Sequence, residues 1–392
     1  MKKKVLALLM STAMVVGLLA GCGAPAAADT EGAAEEDTAK EETAEGIPAD
    51  EIKIGFVHVS DPSDMGYTYN QDIGTKEMQK ALGISDDQIV NKFNVPEGAE
   101  CDTALRELVD AGCNIIFATS FGFEDYVKEV AAEYPDIEFC HATGYQAKDA
   151  GLPNMHNYFA SIYEARYLAG IAAGMKTESN KLGYVAAFPF AEVISGYTAF
   201  YLGAKSVNPD VTMDIMYTNS WNDPTVESQV AKALIERGCD VVSQHSDSTA
   251  PATTAEDNGV WQVGYNNDMI EAAPKASLIS ARIYWGIFLT EAVQAVIDGK
   301  EIPVDWCKGL GDEAVYLSPL NTDIAAEGTQ EAIDKAKEEL ISGERHVFAG
   351  PLKGTSPEGE TIEVAEGEYF HEQEEASAPS WCYIIEGCNV VE

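Results

Sequence analysis

Aromatic side chains recur beside acidic, amide and hydroxyl side chains along this sequence. The clusters are Asp64-Met65-Gly66-Tyr67-Thr68-Tyr69-Asn70, Ser120-Phe121, Phe188-Pro189-Phe190, Trp221-Asn222-Asp223, His245-Ser246-Asp247, Asn266-Asn267-Asp268, and Arg282 with Trp285 one helical turn on. A flat heteroaromatic ligand takes ring faces for stacking and a few polar groups for its edges. Carboxylates and amides accept hydrogen bonds from exocyclic amines and sugar hydroxyls. A phosphate would call for Arg, Lys or a glycine-rich loop at a helix start. Arg282 is the single basic side chain of the set, which disfavours a nucleotide. The candidate ligand-binding residues are therefore Asp64, Tyr67, Tyr69, Asn70, Ser120, Phe121, Phe190, Trp221, Asp223, Asp247, Asp268, Arg282 and Trp285.

Catalytic readings find no support. Gly-x-Ser-x-Gly, Gly-x-x-x-x-Gly-Lys-Ser/Thr and His-Glu-x-x-His are all absent. His245, Ser246 and Asp247 include triad residue types, but neighbours in an extended segment point apart and do not converge. His245 and Asp247 have no partner cluster at metal-ligand spacing. No catalytic residue, metal or cofactor is expected, and the chain is not read as an enzyme. Glu164 and Arg166 read as a hinge or surface pair.

Positioning these clusters requires a regular framework, and the apolar pattern supplies one. Strands are predicted at 52–59, 88–93, 114–119, 137–141, 181–187, 211–217, 240–244, 260–265 and 277–281. Helices are predicted at 70–82, 101–110, 124–133, 163–175, 192–206, 224–237 and 249–258. Short apolar strands alternating with helices of ten to fifteen residues give βαβ units and parallel sheets. The units are too many for one compact sheet, so two doubly wound α/β lobes are expected. Ligands in such folds sit beyond the carboxyl ends of strands, where each cluster above falls.

The N-terminus reads as an address. Lys2, Lys3 and Lys4 precede an apolar run from Val5 to Leu19, too short for a membrane span, which marks a signal peptide over 1–21. Leu19-Ala20-Gly21-Cys22 resembles the bacterial lipoprotein box, which implies lipidation of Cys22. Residues 22–49 are acidic and nearly free of large apolar side chains, and read as a solvated, disordered tether. The whole chain carries 65 Asp and Glu against 25 Lys and Arg, a formal charge of −40. Nucleic acid and purely electrostatic adhesion to an anionic membrane are excluded on that balance. Seven further cysteines lack any Cys-x-x-Cys pair. Cys382 and Cys388 are close enough for a small loop, and free buried thiols are the preferred reading.

Several long stretches, among them DMGYTYNQDIGTKEM (64–78), FATSFGFEDYVKEV (117–130), LGYVAAFPFAEVISGY (182–197), NSWNDP (219–224), QHSDS (244–248) and GYNNDM (264–269), resemble the BMP (basic membrane protein) family of substrate-binding lipoproteins of ABC importers, in its purine-binding branch. The likeness covers residues 51 to 353. It implies a type I periplasmic-binding fold with three crossing strands, near Phe159, Ser280 and Leu317. An N-terminal lobe would hold 51–158 with about 282–316, and a C-terminal lobe 159–281 with about 317–392. Tyr69 and Asn70 stand where the family has a stacking ring and an Asn. Trp221 stands at the opposing aromatic, Asp268 at a signature carboxylate, and Arg282 where nucleoside binders carry Lys. The implied ligand is a purine base or nucleoside. The implied partners are an ABC permease and its ATPase subunit, and the implied location is the extracytoplasmic face of the cell membrane, as a lipid-anchored monomer. A sensor lipoprotein signalling to a membrane receptor, or binding of another small neutral polar ligand, would use the same cleft.

Overall fold

The computed structural model describes residues 46–392; the expected signal peptide, Cys22 and the tether up to residue 45 lie outside the described residues. The last residues of the expected tether are held on the fold: the Ile47 amide donates to the Val296 carbonyl at 3.2 Å.

Two large sheets carry the architecture. The first runs, in spatial order, Ile89–Lys92, Ile54–Val57, Ile115–Ala118, Glu138–His141, Met155–Ala160 and Asp305–Lys308, with every neighbouring pair parallel. The second runs Val315–Leu317, Ser277–Ile283, Trp261–Tyr265, Val241–Gln244, Lys181–Ala186, Thr212–Tyr217 and Cys388–Val390. It too is parallel, except where Val315–Leu317 pairs antiparallel with Ser277–Ile283. Central strands such as Ile54–Val57 and Ile115–Ala118 are buried at every position, because helices cover both faces of a doubly wound sheet.

The chain passes between the sheets three times. It leaves the first after Ala160 and enters helix Ile162–Lys176, which packs on the second. It returns after Ile283 into helix Trp285–Asp298, which packs against Tyr67–Leu82. It crosses again between Lys308 and Val315. Glu164 serves this last crossing: its carboxylate accepts from the Leu310 amide at 2.7 Å.

Most elements lie within two residues of their predicted bounds. The main exception is the first helix, which begins at Tyr67 rather than Asn70. The Asp64 carboxylate explains the earlier start, since it accepts from the Gly66, Thr68 and Tyr69 amides at 2.9 to 3.0 Å and satisfies donors a helix start leaves open. The C-terminal region adds further regular elements. It forms helix Thr329–Ser342, a small antiparallel sheet of Thr361–Val364, Leu352–Thr355 and Ile384–Ile385, and the edge strand Cys388–Val390. Segment 370–381 touches both lobes: the Ser377 amide donates to Asp305 at 3.0 Å, Ser195 Oγ of helix Ala191–Val207 donates to Glu372, and Trp381 is fully buried against Phe348. Cys382 and Cys388 are free thiols, like the other five described cysteines.

Helices Ile162–Lys176 and Ala191–Val207 pack extensively on each other. A Cβ on Gly170 would lie 2.0 Å from the Phe200 carbonyl oxygen, and one on Gly203 would lie 1.9 Å from that of Tyr167. Backbone cannot rotate away as a side chain can. Gly203→Val is therefore expected to destabilise the protein by about 3 kcal/mol, the upper end of overpacking effects, read as a lowered urea midpoint. An unchanged midpoint would show that the helices can separate freely.

Candidate ligand-binding cleft

Strand ends from the two sheets face each other across one cleft. The first lobe supplies Val59, Tyr67, Thr119, Ser120, Phe121 and Thr143. The second supplies Glu192, Trp221, His245, Asp247 and Tyr265. The lobes are shut in this structure. The Asn222 amide donates to Ser60 Oγ at 2.8 Å, Trp221 Nε1 donates to Glu97 Oε2 at 3.2 Å, and Phe121 stacks on Phe190 with centroids 5.0 Å apart. Backbone meets backbone at Gly66, where an added Cβ would fall 1.6 Å from the Asp247 carbonyl oxygen. The cleft holds about 330 Å³ of free space, counting its opening to solvent.

Buried hydrogen bonds fix the lining. His58 Nδ1 pairs with Thr119 Oγ1 at 3.0 Å, and His141 Nε2 with the Ser120 carbonyl at 2.8 Å. Glu97 Oε1 accepts from Ser120 Oγ at 2.6 Å and from the Gly122 amide at 2.8 Å. Glu124 Oε1 accepts from the Tyr145 and Gln146 amides, each at 2.8 Å, and so shapes the loop that carries Thr143. Burial pushes the His58 pKa down to about 4, so this histidine is a neutral strut at physiological pH.

The lining divides into an aromatic and a polar group. Phe121 and Trp221 are the phenyl and indole rings of the lining, and Phe188 and Phe190 continue them into a contiguous set, with Phe188 and Trp221 edge to face at 5.0 Å. Glu192, His245 and Tyr265 form the other group: His245 Nε2 lies 3.4 Å from Glu192 Oε1, and the His245 and Tyr265 rings are 4.7 Å apart. Asp247 is 4% exposed, and among the described residues its carboxylate takes no hydrogen bond from the protein. Burial, reinforced by nearby Asp64, Glu227, Glu192 and Glu97, holds its pKa well above the usual carboxylate range. Burial pushes Glu192 up to about 7, against the opposing influence of Thr143 and Arg166. Burial thus favours the protonated form of both carboxyls, and a ligand that brings N–H or O–H donors would favour their ionised form.

Of the sequence candidates, Tyr67, Ser120, Phe121, Trp221 and Asp247 line the cleft, with Phe190 stacked behind Phe121. The others are placed elsewhere. Tyr69 does not line the cleft; with the helix starting at Tyr67, positions two apart diverge by about 200°. Asp64 caps that helix. Asp223 caps Pro224–Glu236, accepting from the Thr225 and Val226 amides at 3.1 and 3.0 Å. Asn70 donates to the Ile283 carbonyl at 3.0 Å and accepts from Arg282 at 3.2 Å, so this pair ties the first helix to a crossing strand. Asp268 accepts from the Ile270 amide in its own turn. Trp285 is 1% exposed, in the core against Tyr67 and Tyr158. Arg166 makes no pair with Glu164; it is buried behind the polar group, its guanidinium 3.6 Å from the Tyr265 ring centre and Nη1 donating to the Gln244 carbonyl at 2.6 Å.

Sequence reasoning passes over Thr143, Glu192, His245 and Tyr265, which line the cleft, and Glu97, which hydrogen-bonds Ser120 and Trp221 at its edge. The strand-end rule reaches most of them: Tyr265 ends its strand, His245 follows Val241–Gln244, and Glu192 lies just past Phe190. Among the described residues, no group of three or more His, Cys, Asp or Glu could hold a metal ion. No described helix is long and apolar enough to cross a membrane.

Two lobes with parallel sheets, three crossings and a closed cleft at the strand ends define a solute-binding protein of the periplasmic type. The chain belongs to the Bmp family, PnrA-like substrate-binding proteins of ABC transporters, whose model matches residues 51–347. It is 37% identical over 308 residues to a purine-binding protein of Brucella abortus, covering 78% of this chain and 85% of that one. It is 33% identical over 333 residues to a putative glucose-binding ABC transporter protein of Haloferax volcanii, covering 84% and 82%. Among solved structures, a solute-binding protein from Aeropyrum pernix matches with a TM-score of 0.64 at 17% identity, covering 78% of this chain and 94% of that one, a likeness of fold.

Proposed function

We propose that this ABC transporter substrate-binding protein captures a purine base or nucleoside in the cleft and delivers it to a membrane permease with its ATPase subunit. The observation that carries the reading is the joint presence of aromatic rings and two buried carboxyl groups in one cleft, Asp247 taking no hydrogen bond from the described residues and Glu192 only partly engaged by His245 and Thr143. Rings suit the faces of a base, and carboxylates suit its N–H groups or ribose hydroxyls. The Brucella relative's name supports the same class. Cys22, at the end of the lipoprotein-box sequence, would carry the lipid that holds the protein on the extracytoplasmic face of the cell membrane. Binding needs no chemical step: the lobes part, the ligand enters, and its preference for the closed form shifts the population.

A thermal-shift screen of purine bases, nucleosides and glucose tests this. A true ligand at 100 times its Kd should add about 2.7 kcal/mol of stability. Adenine, guanine, hypoxanthine or their nucleosides are expected to raise the melting temperature. A shift with glucose and none with any purine would replace the reading with a sugar-binding one.

A further inference from the structure

The polar end of the cleft has a donor–acceptor balance that the reading above leaves unused. Glu192 is 8% exposed in the first turn of helix Ala191–Val207 and faces the cleft. Its hydrogen-bonding neighbours are His245 Nε2, at a long 3.4 Å, and the Thr143 hydroxyl, which leaves lone pairs of the two carboxylate oxygens free. Arg166 lies nearby yet spends Nη1 on the Gln244 carbonyl, leaving Nε and Nη2 without partners, and forms no salt bridge with Glu192. Thr143 stands across the cleft on the other lobe. Phe121 and Trp221 line the same cleft as Glu192, so a base stacked on these rings shares one enclosed site with the carboxylate.

We propose that Glu192 is the residue that selects among purines, its ionised carboxylate accepting the N1–H of a 6-oxopurine base. This rests on the purine reading of the cleft. Hypoxanthine and guanine present N1–H as a donor beside the C6 carbonyl. Adenine presents N1 as an acceptor, and opposite an ionised carboxylate two acceptors would meet. A buried acceptor left unpaired costs about 1–3 kcal/mol, and a site built around one hydrogen bond discriminates strongly against a ligand lacking it.

The choice carries a pH signature. The titratable or charged groups around Glu192 are Arg166, His245, Asp247, Tyr184, Tyr265 and Tyr67. Burial keeps His245 neutral and the tyrosines protonated, so Glu192 and Asp247 are the groups left to change charge. With Glu192 pushed up to about 7 in the unliganded protein, binding an N1–H donor releases a proton near neutrality. Hypoxanthine should bind more tightly as pH rises from 6 to 8. Adenine, which pairs with a protonated carboxyl, should bind less tightly.

Calorimetric titrations with hypoxanthine and adenine from pH 6 to 8, in two buffers of different ionisation enthalpy, test the proposal on the full chain. The wild-type protein is expected to favour hypoxanthine by about tenfold at pH 8, with proton release and a smaller preference at pH 6. Glu192→Gln, whose amide can donate or accept, should bring the two ligands within about threefold and remove the pH slope. Asp247→Asn should weaken both ligands and keep the slope. Purine binding with no proton release in the wild type, or a slope that survives Glu192→Gln and vanishes in Asp247→Asn, overturns the assignment. Absence of any purine binding by the wild type fails the functional reading itself and is seen before any variant is made.

Discussion

Replacing Gly66 with alanine is expected to lower ligand affinity by at least about a hundredfold while leaving both lobes folded. Gly66 precedes the first helix of the N-terminal lobe, and in the shut form its Cα faces the Asp247 backbone of the other lobe. The added methyl would lie 1.6 Å from the Asp247 carbonyl oxygen and 2.5 Å from its carbon. Neither is a side-chain end that can turn aside. Relief comes by parting the lobes, which also breaks the Asn222–Ser60 and Trp221–Glu97 contacts. Apparent affinity falls with the fraction of protein able to close, so a loss of about 3 kcal/mol in closure is roughly a hundredfold in Kd. Calorimetry would read the affinity, and small-angle scattering with excess ligand would read the compaction. Unchanged affinity would show that the ligand-bound form does not bring Gly66 against Asp247.

Trp221→Ala should cost binding through a different route. Trp221 is half-buried, so its removal opens little core, and the unliganded melting temperature should hold within a degree or two. What is lost is a ring face in the cleft, the edge contact to Phe188 and the hydrogen bond from Nε1 to Glu97 across the lobes. Stacking on a base is worth about 1–3 kcal/mol, so affinity should fall by roughly tenfold to a hundredfold. Trp221→Phe, which keeps a ring and loses the N–H, should recover part of that loss. If Trp221→Ala binds as tightly as the wild type, the rings do not stack on the ligand.

The framework was legible because a doubly wound fold writes itself in short apolar strands spaced by helices. Ile54–Val57, Ile115–Ala118 and Val241–Gln244 are buried along their whole length and read that way in sequence. Strand-end position then led to Phe121, Trp221 and Asp247, since topology alone brings those loops together. Legibility failed where residue type pointed one way and local hydrogen bonding another. Asp64 and Asp223 are the same residue as Asp247, but backbone amides within five residues claim them as caps. Tyr69 was displaced by a helix that began three residues early. Glu97 was hidden because its partners, Ser120 and Trp221, lie 23 and 124 residues away. Arg166 lies behind Tyr265, a burial that has no local sequence sign.

The order of strands in the two sheets bears on how the protein comes into being. Asp305–Lys308 is the outer strand of the first sheet, whose other members end by Ala160, and Cys388–Val390 is the outer strand of the second, beside Thr212–Tyr217. Each lobe therefore waits for a distant piece of chain to finish its edge. Until Cys388–Val390 is made, Thr212–Tyr217 presents an open row of backbone donors and acceptors of the kind that invites pairing with other chains. Long-range closure of this sort is slow relative to helix formation. The acidic C-terminal region thus acts as a late fastener, and the high negative charge of the whole chain would keep its unfinished copies apart in the interval.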